Sequence, residues 1–240
     1  MKILTEKDSL MWGTKFPDCR VMEFKREDEW KDARKSFICA SEAACVLGIG
    51  FQDNIWLWEQ KTGRGEEPKF SQQTLELMMK GKQNESRSRD QWEIDTGHKV
   101  WDGTMKLIVN NKILDEKGNP FLACTLDAVG EHNLGYLYDI ELKRGESIKV
   151  FSDPVNMPDK YRAQVLHQMI VTGLQHAVLV ARVVWFESDC KRHVVEREYW
   201  LHADDPDTKY DMDQLLEAER KFWNKYVLTC VRPARLLPNI

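Results

Sequence analysis

The chain has 240 residues, a mass of 28.2 kDa and a formal net charge of −4, and 42% of its residues are hydrophobic. This length predicts one large domain with a substantial core, and the hydrophobic content excludes a disordered protein. The slightly acidic balance excludes binding of nucleic acid through bulk charge, although local clusters of Lys and Arg leave room for one basic face.

The six cysteines are scattered and contain no C-x-x-C pair, which argues against structural zinc. Cys39, Cys45 and Cys124 lie in apolar surroundings and are predicted to be buried thiols. The sequence shows no signal peptide and no apolar run of membrane-spanning length. We therefore expect an intracellular, reduced protein, located in the cytoplasm, or in the host cell if the gene is viral.

The first half of the chain is predicted to be mainly helical after a short strand or hairpin in residues 1–26. Ser41 precedes the apolar run EAACVL and is predicted to be the N-cap of a helix that ends at Gly48. Three further segments have helical patterns. They are residues 27–35, residues 54–65, and residues 72–97, with Gly81 as a candidate break.

The second half mixes strands and helices. Residues 98–143 alternate like a three-stranded meander, residues 177–186 predict a buried strand, and residues 193–201 are predicted to be its neighbouring strand. Residues 159–173 predict an amphipathic helix, and a last helix is predicted to be capped by Asp207. This order of elements predicts a mixed α/β sandwich.

The segment FLACTLDAVGEHNLGYLYDIELKRG, residues 121–145, carries the strongest candidate site. It reads as two apolar strands joined by a turn, which brings Asp127 near Glu141 and Lys143. Glu141 and Lys143 are two residues apart on one strand and therefore project from the same face. Two carboxylates and an ammonium group suit Mg²⁺-assisted hydrolysis of a phosphodiester.

The Glu-x-Lys pattern alone has little specificity, because it also occurs at several other positions. These are Glu23, Glu29, Glu59, Glu67 and Glu219. The apolar flanks of Glu141 set it apart, since buried charges are costly unless they are paired or bound to a metal. A buried ion pair without catalytic function is therefore the alternative interpretation of this strand.

Five segments in a fixed order give the chain a wider resemblance. They are EWKDARKSFICASE (29–42), GKQNE (81–85), ACTLDAVG (123–130), DIELKRG (139–145) and YRAQVLHQMIVTG (161–173). With them the chain resembles the phage lambda exonuclease and YqaJ-like viral recombinase family of the PD-(D/E)XK nuclease superfamily. The resemblance covers roughly residues 28–225. It implies an α/β fold with a restriction-endonuclease-like core, in which a mixed central sheet is flanked by helices.

The resemblance also implies roles for single residues. Asp127 and Glu141, with the Leu142 carbonyl, correspond to ligands of one or two Mg²⁺ ions, for which Mn²⁺ can substitute. Lys143 corresponds to the residue that positions or activates water. The family's additional acidic group, which acts on a metal or its water, matches Glu85, while Gln164 matches a glutamine that holds the nucleophile or a phosphate oxygen.

The family's pocket for a 5′-phosphate corresponds to Arg34, Ser41 and Thr125. Arginine and hydroxyl groups are suitable donors to phosphate oxygens. The resemblance further implies a homotrimeric ring around double-stranded DNA ends and a single-strand-annealing protein as partner. Leu126 and Ala128 depart from the family pattern, which usually has Pro before the Asp and Gly after it.

The sequence thus predicts one PD-(D/E)XK nuclease domain over residues 1–240, with residues 1–27 as an unexplained extension. The predicted enzyme is a Mg²⁺-dependent 5′→3′ double-stranded DNA exonuclease. It would release mononucleotides and leave 3′ single strands for recombination and repair by annealing. Two alternatives stay open: another nuclease of this superfamily, such as an endonuclease, and a non-catalytic protein that binds DNA ends.

Overall fold

The structure is a computed structural model that describes residues 2–3, 12, 15–66, 71–144, 149–186 and 192–236. Its helices are α1 (Glu27–Arg34), α2 (Ala43–Val46), α3 (Asn54–Lys61), α4 (Gln72–Thr96), α5 (Asp159–Thr172) and α6 (Pro206–Phe222). A 3-10 turn at Ala40–Glu42 precedes α2, and a π-helical turn at Trp223–Val227 follows α6.

Within the described residues, ten strands form two five-stranded sheets. They are β1 (Lys2–Ile3), β2 (Cys19–Glu23), β3 (Ile38–Cys39), β4 (Lys99–Asp102), β5 (Lys106–Asn110), β6 (Leu122–Cys124), β7 (Ala128–Glu131), β8 (Leu137–Arg144), β9 (His176–Phe186) and β10 (Arg192–His202). The first sheet has the order β1-β2-β5-β6-β3, and the second has the order β10-β9-β8-β7-β4. Each contains one parallel pair, β3 with β6 and β8 with β9, so both sheets are mixed. The predicted α/β class is confirmed.

The predicted three-stranded meander is wrong, because the chain changes sheets in its middle. β5 and β6 pair in the first sheet, whereas β7 and β8 pair in the second. A crossover of three residues, 125–127, joins them, and the fully buried Leu126 anchors it in the core. The Gly103 N–H donates to the Asp127 carbonyl at 3.3 Å. Alternation of apolar residues predicts strands but does not fix which strands pair.

Helix α5 lies between the two sheets. Ten of its fourteen residues are buried, and it contacts β5 and β6 on one side and β8 and β9 on the other. The predicted amphipathic character is therefore wrong, although the helix itself is confirmed and ends at Gly173 with φ of +74°. A helix that packs against both sheets and also against α2 and α6 has buried residues around most of its circumference.

Two predicted N-caps are also wrong. Ser41 lies inside the 3-10 turn, and the N–H of Cys39, the residue just before the turn, donates to the Glu42 carboxylate at 2.8 Å. Asp205 rather than Asp207 caps α6, because Pro206 takes the first helical position. Gly81 does not interrupt α4, which runs unbroken for 25 residues.

Other sequence predictions are confirmed. α1 and α3 form where expected, β1 and β2 pair within residues 1–26, and β9 and β10 pair over their full length. Cys39, Cys45 and Cys124 are buried free thiols. None of the helices in the described ranges is both long and apolar enough to cross a membrane.

Candidate active site

The crossover and β8 bring Asp127 and Glu141 together. β7 and β8 are in register with Ala128 opposite Ile140, so Asp127 lies beside the later part of β8. The Leu142 N–H donates to Asp127 Oδ2 at 2.8 Å. On the same face of β8, the Lys143 ammonium group donates to Glu141 Oε1 and forms an ion pair with it. The predicted proximity of these three side chains is thus present.

Helix α5 fixes the orientation of Glu141 with two glutamines. Gln164 Nε2 donates to Glu141 Oε1 at 2.7 Å, and Gln168 Nε2 donates to Oε2 at 2.6 Å. The glutamines are four residues apart and therefore share one face of the helix. Glu141 is only 2% exposed, so these charge-assisted hydrogen bonds compensate for its burial. Gln168 was not predicted from the sequence, although its spacing of four residues from Gln164 is a visible signal.

Asp139 is a second residue near the site that was not predicted from the sequence. It precedes Glu141 by two residues, projects from the same face of β8 and is fully buried. Burial, and then the negative charges of Glu141 and Asp127, raise the pKa of Asp139 well above its usual range. The alternation of YDIEL around the two acids was the signal in the sequence.

Arg34, Ser41 and Thr125 form a second polar group, although they come from three separate segments. Arg34 Nη2 donates to the Ser41 hydroxyl at 2.8 Å, and the guanidinium group lies 4.5 Å from the centre of the Trp30 ring. Trp30 Nε1 donates to the Thr125 hydroxyl at 3.0 Å. Trp30 therefore fixes both Arg34 and Thr125, a role that sequence reasoning did not assign. Its spacing of four residues from Arg34 on α1 was the available signal.

Both groups line one central cleft with a volume of about 480 Å³. The cleft contains all the proposed site residues whose side chains are described: Arg34, Ser41, Thr125, Asp127, Glu141, Leu142, Lys143 and Gln164. Glu85 lies on α4, but its side chain falls outside the described residues. Arg89, one turn further along α4, lines the cleft and donates to the Asp127 carbonyl at 3.4 Å.

The chemistry of these donors fits Mg²⁺. Asp127 and Glu141 supply hard carboxylate oxygens, and the Leu142 carbonyl belongs to the residue whose N–H already binds Asp127. Within the described part of the chain, no group of three His, Cys, Asp or Glu side chains is arranged to hold a metal ion. Mg²⁺ needs no such group, because it is usually bound through one or two carboxylates and keeps several waters.

An α/β fold with an aspartate and a Glu-x-Lys strand at one cleft defines the PD-(D/E)XK class of proteins. Residues 29–175 match the model of the YqaJ-like viral recombinase domain, and the chain belongs to this family. The resemblance inferred from the sequence is thereby confirmed. Family membership supports a nuclease role for the chain and DNA as its substrate.

Solved structures agree with this fold. An alkaline exonuclease (LHK-Exo) from Laribacter hongkongensis is 19% identical, with 85% of this chain and 94% of that chain covered and a TM-score of 0.55. LHK-Exo in complex with dAMP gives 18% identity, the same coverage and a TM-score of 0.53. At these identities the likeness shows the fold alone. No curated protein gives a significant sequence match.

Proposed function

We propose that the chain is a Mg²⁺-dependent 5′→3′ exonuclease that acts on 5′-phosphorylated ends of double-stranded DNA. One observation carries the proposal: Arg34, Ser41 and Thr125 line the same cleft as Asp127, Glu141 and Lys143. A cationic pocket with hydroxyl donors suits a terminal phosphate, and the neighbouring carboxylates suit a metal that acts on the next phosphodiester.

Each residue has a defined task in this mechanism. Asp127, Glu141 and the Leu142 carbonyl would hold Mg²⁺, or Mn²⁺ in its place, which when bound supplies Lewis-acid stabilisation of the developing negative charge. The Lys143 ammonium group positions the attacking water and stabilises the negative charge that develops on it, and Gln164 would hold this water or a phosphate oxygen. Glu85 is proposed as an additional acidic group on the metal or its water.

Binding and release follow from the same cleft. Arg34 binds the terminal phosphate with two N–H donors, and the hydroxyls of Ser41 and Thr125 bind its remaining oxygens. Contacts to phosphates rather than to base edges let the enzyme cut any sequence, so binding should weaken as salt rises. Release of mononucleotides would leave a 3′ single strand for a single-strand-annealing partner. Family membership also supports a homotrimeric ring as the assembly to test.

Digestion of three DNA substrates in Mg²⁺ tests the proposal. They are a linear duplex with 5′-phosphates, the same duplex with 5′-hydroxyls, and a covalently closed circle. We expect fast release of mononucleotides from the phosphorylated duplex alone. Cutting of the circle would make the protein an endonuclease, and binding without cutting by folded protein would make it a DNA-end-binding protein.

A further inference from the structure

An exposed aromatic ring lies outside the central cleft, on the loop between α2 and α3. Phe51 is 75% exposed, although the loop around it is firmly packed. Gly48 has φ of +75°, and a Cβ at Gly50 would lie 2.8 Å from the backbone nitrogen of Cys45. Asp53 then caps α3 by accepting the Trp56 N–H at 2.8 Å. The backbone therefore holds Phe51 in an outward position.

A short series of contacts joins Phe51 to the cleft. Lys160 Nζ lies 3.8 Å from the centre of the Phe51 ring and 4.6 Å from that of the Tyr161 ring. The Tyr161 ring is in turn 5.3 Å from Lys143 Nζ. Successive phosphates of one DNA strand are about 3.4 Å apart along the helix axis, so Phe51 lies within a few nucleotides of Lys143.

Two further basic residues line a depression together with the ring. Phe51, Arg232 and Arg235 line a shallow depression together with the acidic residues Asp53 and Glu59. Arg235 forms an ion pair with Asp53 at 2.9 Å, which offsets one of the two negative charges. Lys160 thus lies over the Phe51 ring, and the depression that the ring lines holds two arginines and two acidic residues.

We propose that Phe51 is a stacking platform for a nucleobase near the DNA end held in the cleft, with Lys160 contacting the adjoining phosphate. This inference rests on the proposed function and adds a base-binding subsite to it. An aromatic ring beside cations is the arrangement that binds single-stranded nucleic acid without sequence preference, because every base has a π face. Sequence-independent stacking suits an enzyme that must separate and cut any end.

A second copy of the chain is the other occupant to consider. Leu47 and Ile49, on the same loop, are 38% and 39% exposed, whereas a stable protein interface needs a wide, well-packed apolar patch. The ammonium group above the Phe51 ring is a poor neighbour for such a patch, and it suits the phosphates of a nucleic acid. The observations therefore favour DNA.

Binding of a 5′-phosphorylated duplex with 2-aminopurine among its first nucleotides tests the platform. Ca²⁺ replaces Mg²⁺ to prevent cutting, and anisotropy and 2-aminopurine fluorescence are followed together. We expect Phe51→Ala to weaken binding about 5- to 100-fold and to reverse the 2-aminopurine quenching. Phe51→Trp should retain both signals. Leu134→Ala removes an apolar side chain that is 81% exposed in the β7–β8 turn, away from the cleft, and should change neither.

Salt titrations separate stacking from charge. Lys160→Gln should reduce the slope of log affinity against log salt by about one, while Phe51→Ala leaves this slope unchanged. If the parental protein cuts DNA and Phe51→Ala has unaltered DNA affinity and 2-aminopurine quenching, the stacking role of Phe51 is wrong, while the proposed nuclease function stands. Parental protein that neither binds nor cuts DNA would overturn the proposed function with it. Loss of oligomer mass in Phe51→Ala, measured by sedimentation, would assign the ring to a self-association surface instead.

Discussion

Glu141 is the most constrained side chain of the candidate site, since both of its oxygens accept hydrogen bonds. Gln164 and Lys143 donate to Oε1, and Gln168 donates to Oε2. Each carboxylate oxygen can accept about two hydrogen bonds, so the single bond from Gln168 leaves capacity at Oε2 for a metal ion. Gln168 thereby orients the proposed ligand and is a positioning residue.

Gln168→Leu should raise the Mg²⁺ concentration needed for half-maximal cutting about 10- to 100-fold, because groups that orient a metal ligand contribute on this scale. Calorimetric titration of Mg²⁺ into DNA-free protein should show the same shift. Gln175→Leu, at an exposed position just after α5, is the matched control and should behave like the parent. An unchanged Mg²⁺ requirement in Gln168→Leu would give Gln168 a purely structural role.

Lys143→Ala should lower kcat by about 10²–10⁴-fold with little change in DNA binding, because the ammonium group acts on water and on developing charge. Lys209→Ala, an exposed lysine on α6, controls for loss of a positive charge. Rates are measured on 5′-phosphorylated duplex and affinities in Ca²⁺. Near-parental turnover would remove Lys143 from the mechanism.

Arg34→Lys should abolish the preference for 5′-phosphate over 5′-hydroxyl ends. Lysine keeps the charge, but it lacks the planar group that donates to Ser41 and lies over Trp30. The ratio of initial rates on the two kinds of end is the measurement. Because Arg34 does not contact the carboxylates, the rate on 5′-hydroxyl ends should stay close to that of the parent. If Arg34→Lys keeps the preference for 5′-phosphate ends, the terminal phosphate is bound by other residues.

At the N-terminus of α6, the residue predicted from the sequence to cap the helix differs from the residue that caps it in the structure. Asp205 Oδ1 accepts the N–H groups of both Asp207 and Thr208, which makes Asp205 the N-cap. Asp205→Ala should lower Tm by about 2–4 °C, and Asp207→Ala should lower it less, since Asp207 acts only through the helix dipole. Thermal unfolding at neutral pH measures both variants. A larger decrease in Tm for Asp207→Ala than for Asp205→Ala would show that Asp207 is the N-cap, as predicted from the sequence.

The site was largely predictable because its residues belong to short, ordered patterns. Glu141 and Lys143 could be placed on one face from strand periodicity, since alternation fixes the face of each side chain, whereas Asp127 lies in the crossover between β6 and β7. Asp139 and Gln168 were visible in the same periodicities, but only their burial shows that they are constrained. Whether the strands join one sheet or two depends on long-range pairing, which residues 98–143 do not encode locally.

For the whole molecule, a buried His167–Glu219 pair connects α5, α6 and the first sheet. His167 Nδ1 donates to Glu219 Oε1 at 2.6 Å, and Nε2 donates to the Ala123 carbonyl at 2.9 Å. Both partners can accept hydrogen bonds, so a protonated imidazole satisfies both contacts. Burial lowers the pKa of His167, but Glu219 and the Ala123 carbonyl outweigh it and leave the pKa raised.

This raised pKa predicts how stability depends on pH. The contribution of His167 is fully present below its ordinary pKa of about 6.5 and is lost as pH rises through the raised value. His167→Gln should lower the free energy of unfolding by about 3–5 kcal/mol at pH 6, because it leaves Glu219 buried without its cation. The difference from the parent should shrink at pH 9.

Urea unfolding at the two pH values is the measurement, and His202→Gln, an exposed histidine on β10, is the control. If the free energy of unfolding of His167→Gln differs from that of the parent by the same amount at pH 6 and pH 9, the imidazole is neutral in the folded protein.

The crossover between the two sheets has one further consequence. Thr125 and Asp127 are separated by a single residue, the fully buried Leu126, so their backbones lie within about 7 Å of each other. Under the proposed function, one of them holds the terminal phosphate and the other holds the metal at the bond to be cut. The spacing of three covalently linked residues then fixes the distance between the bound terminal phosphate and the bond to be cut. That distance sets the length of the product, one nucleotide per cycle.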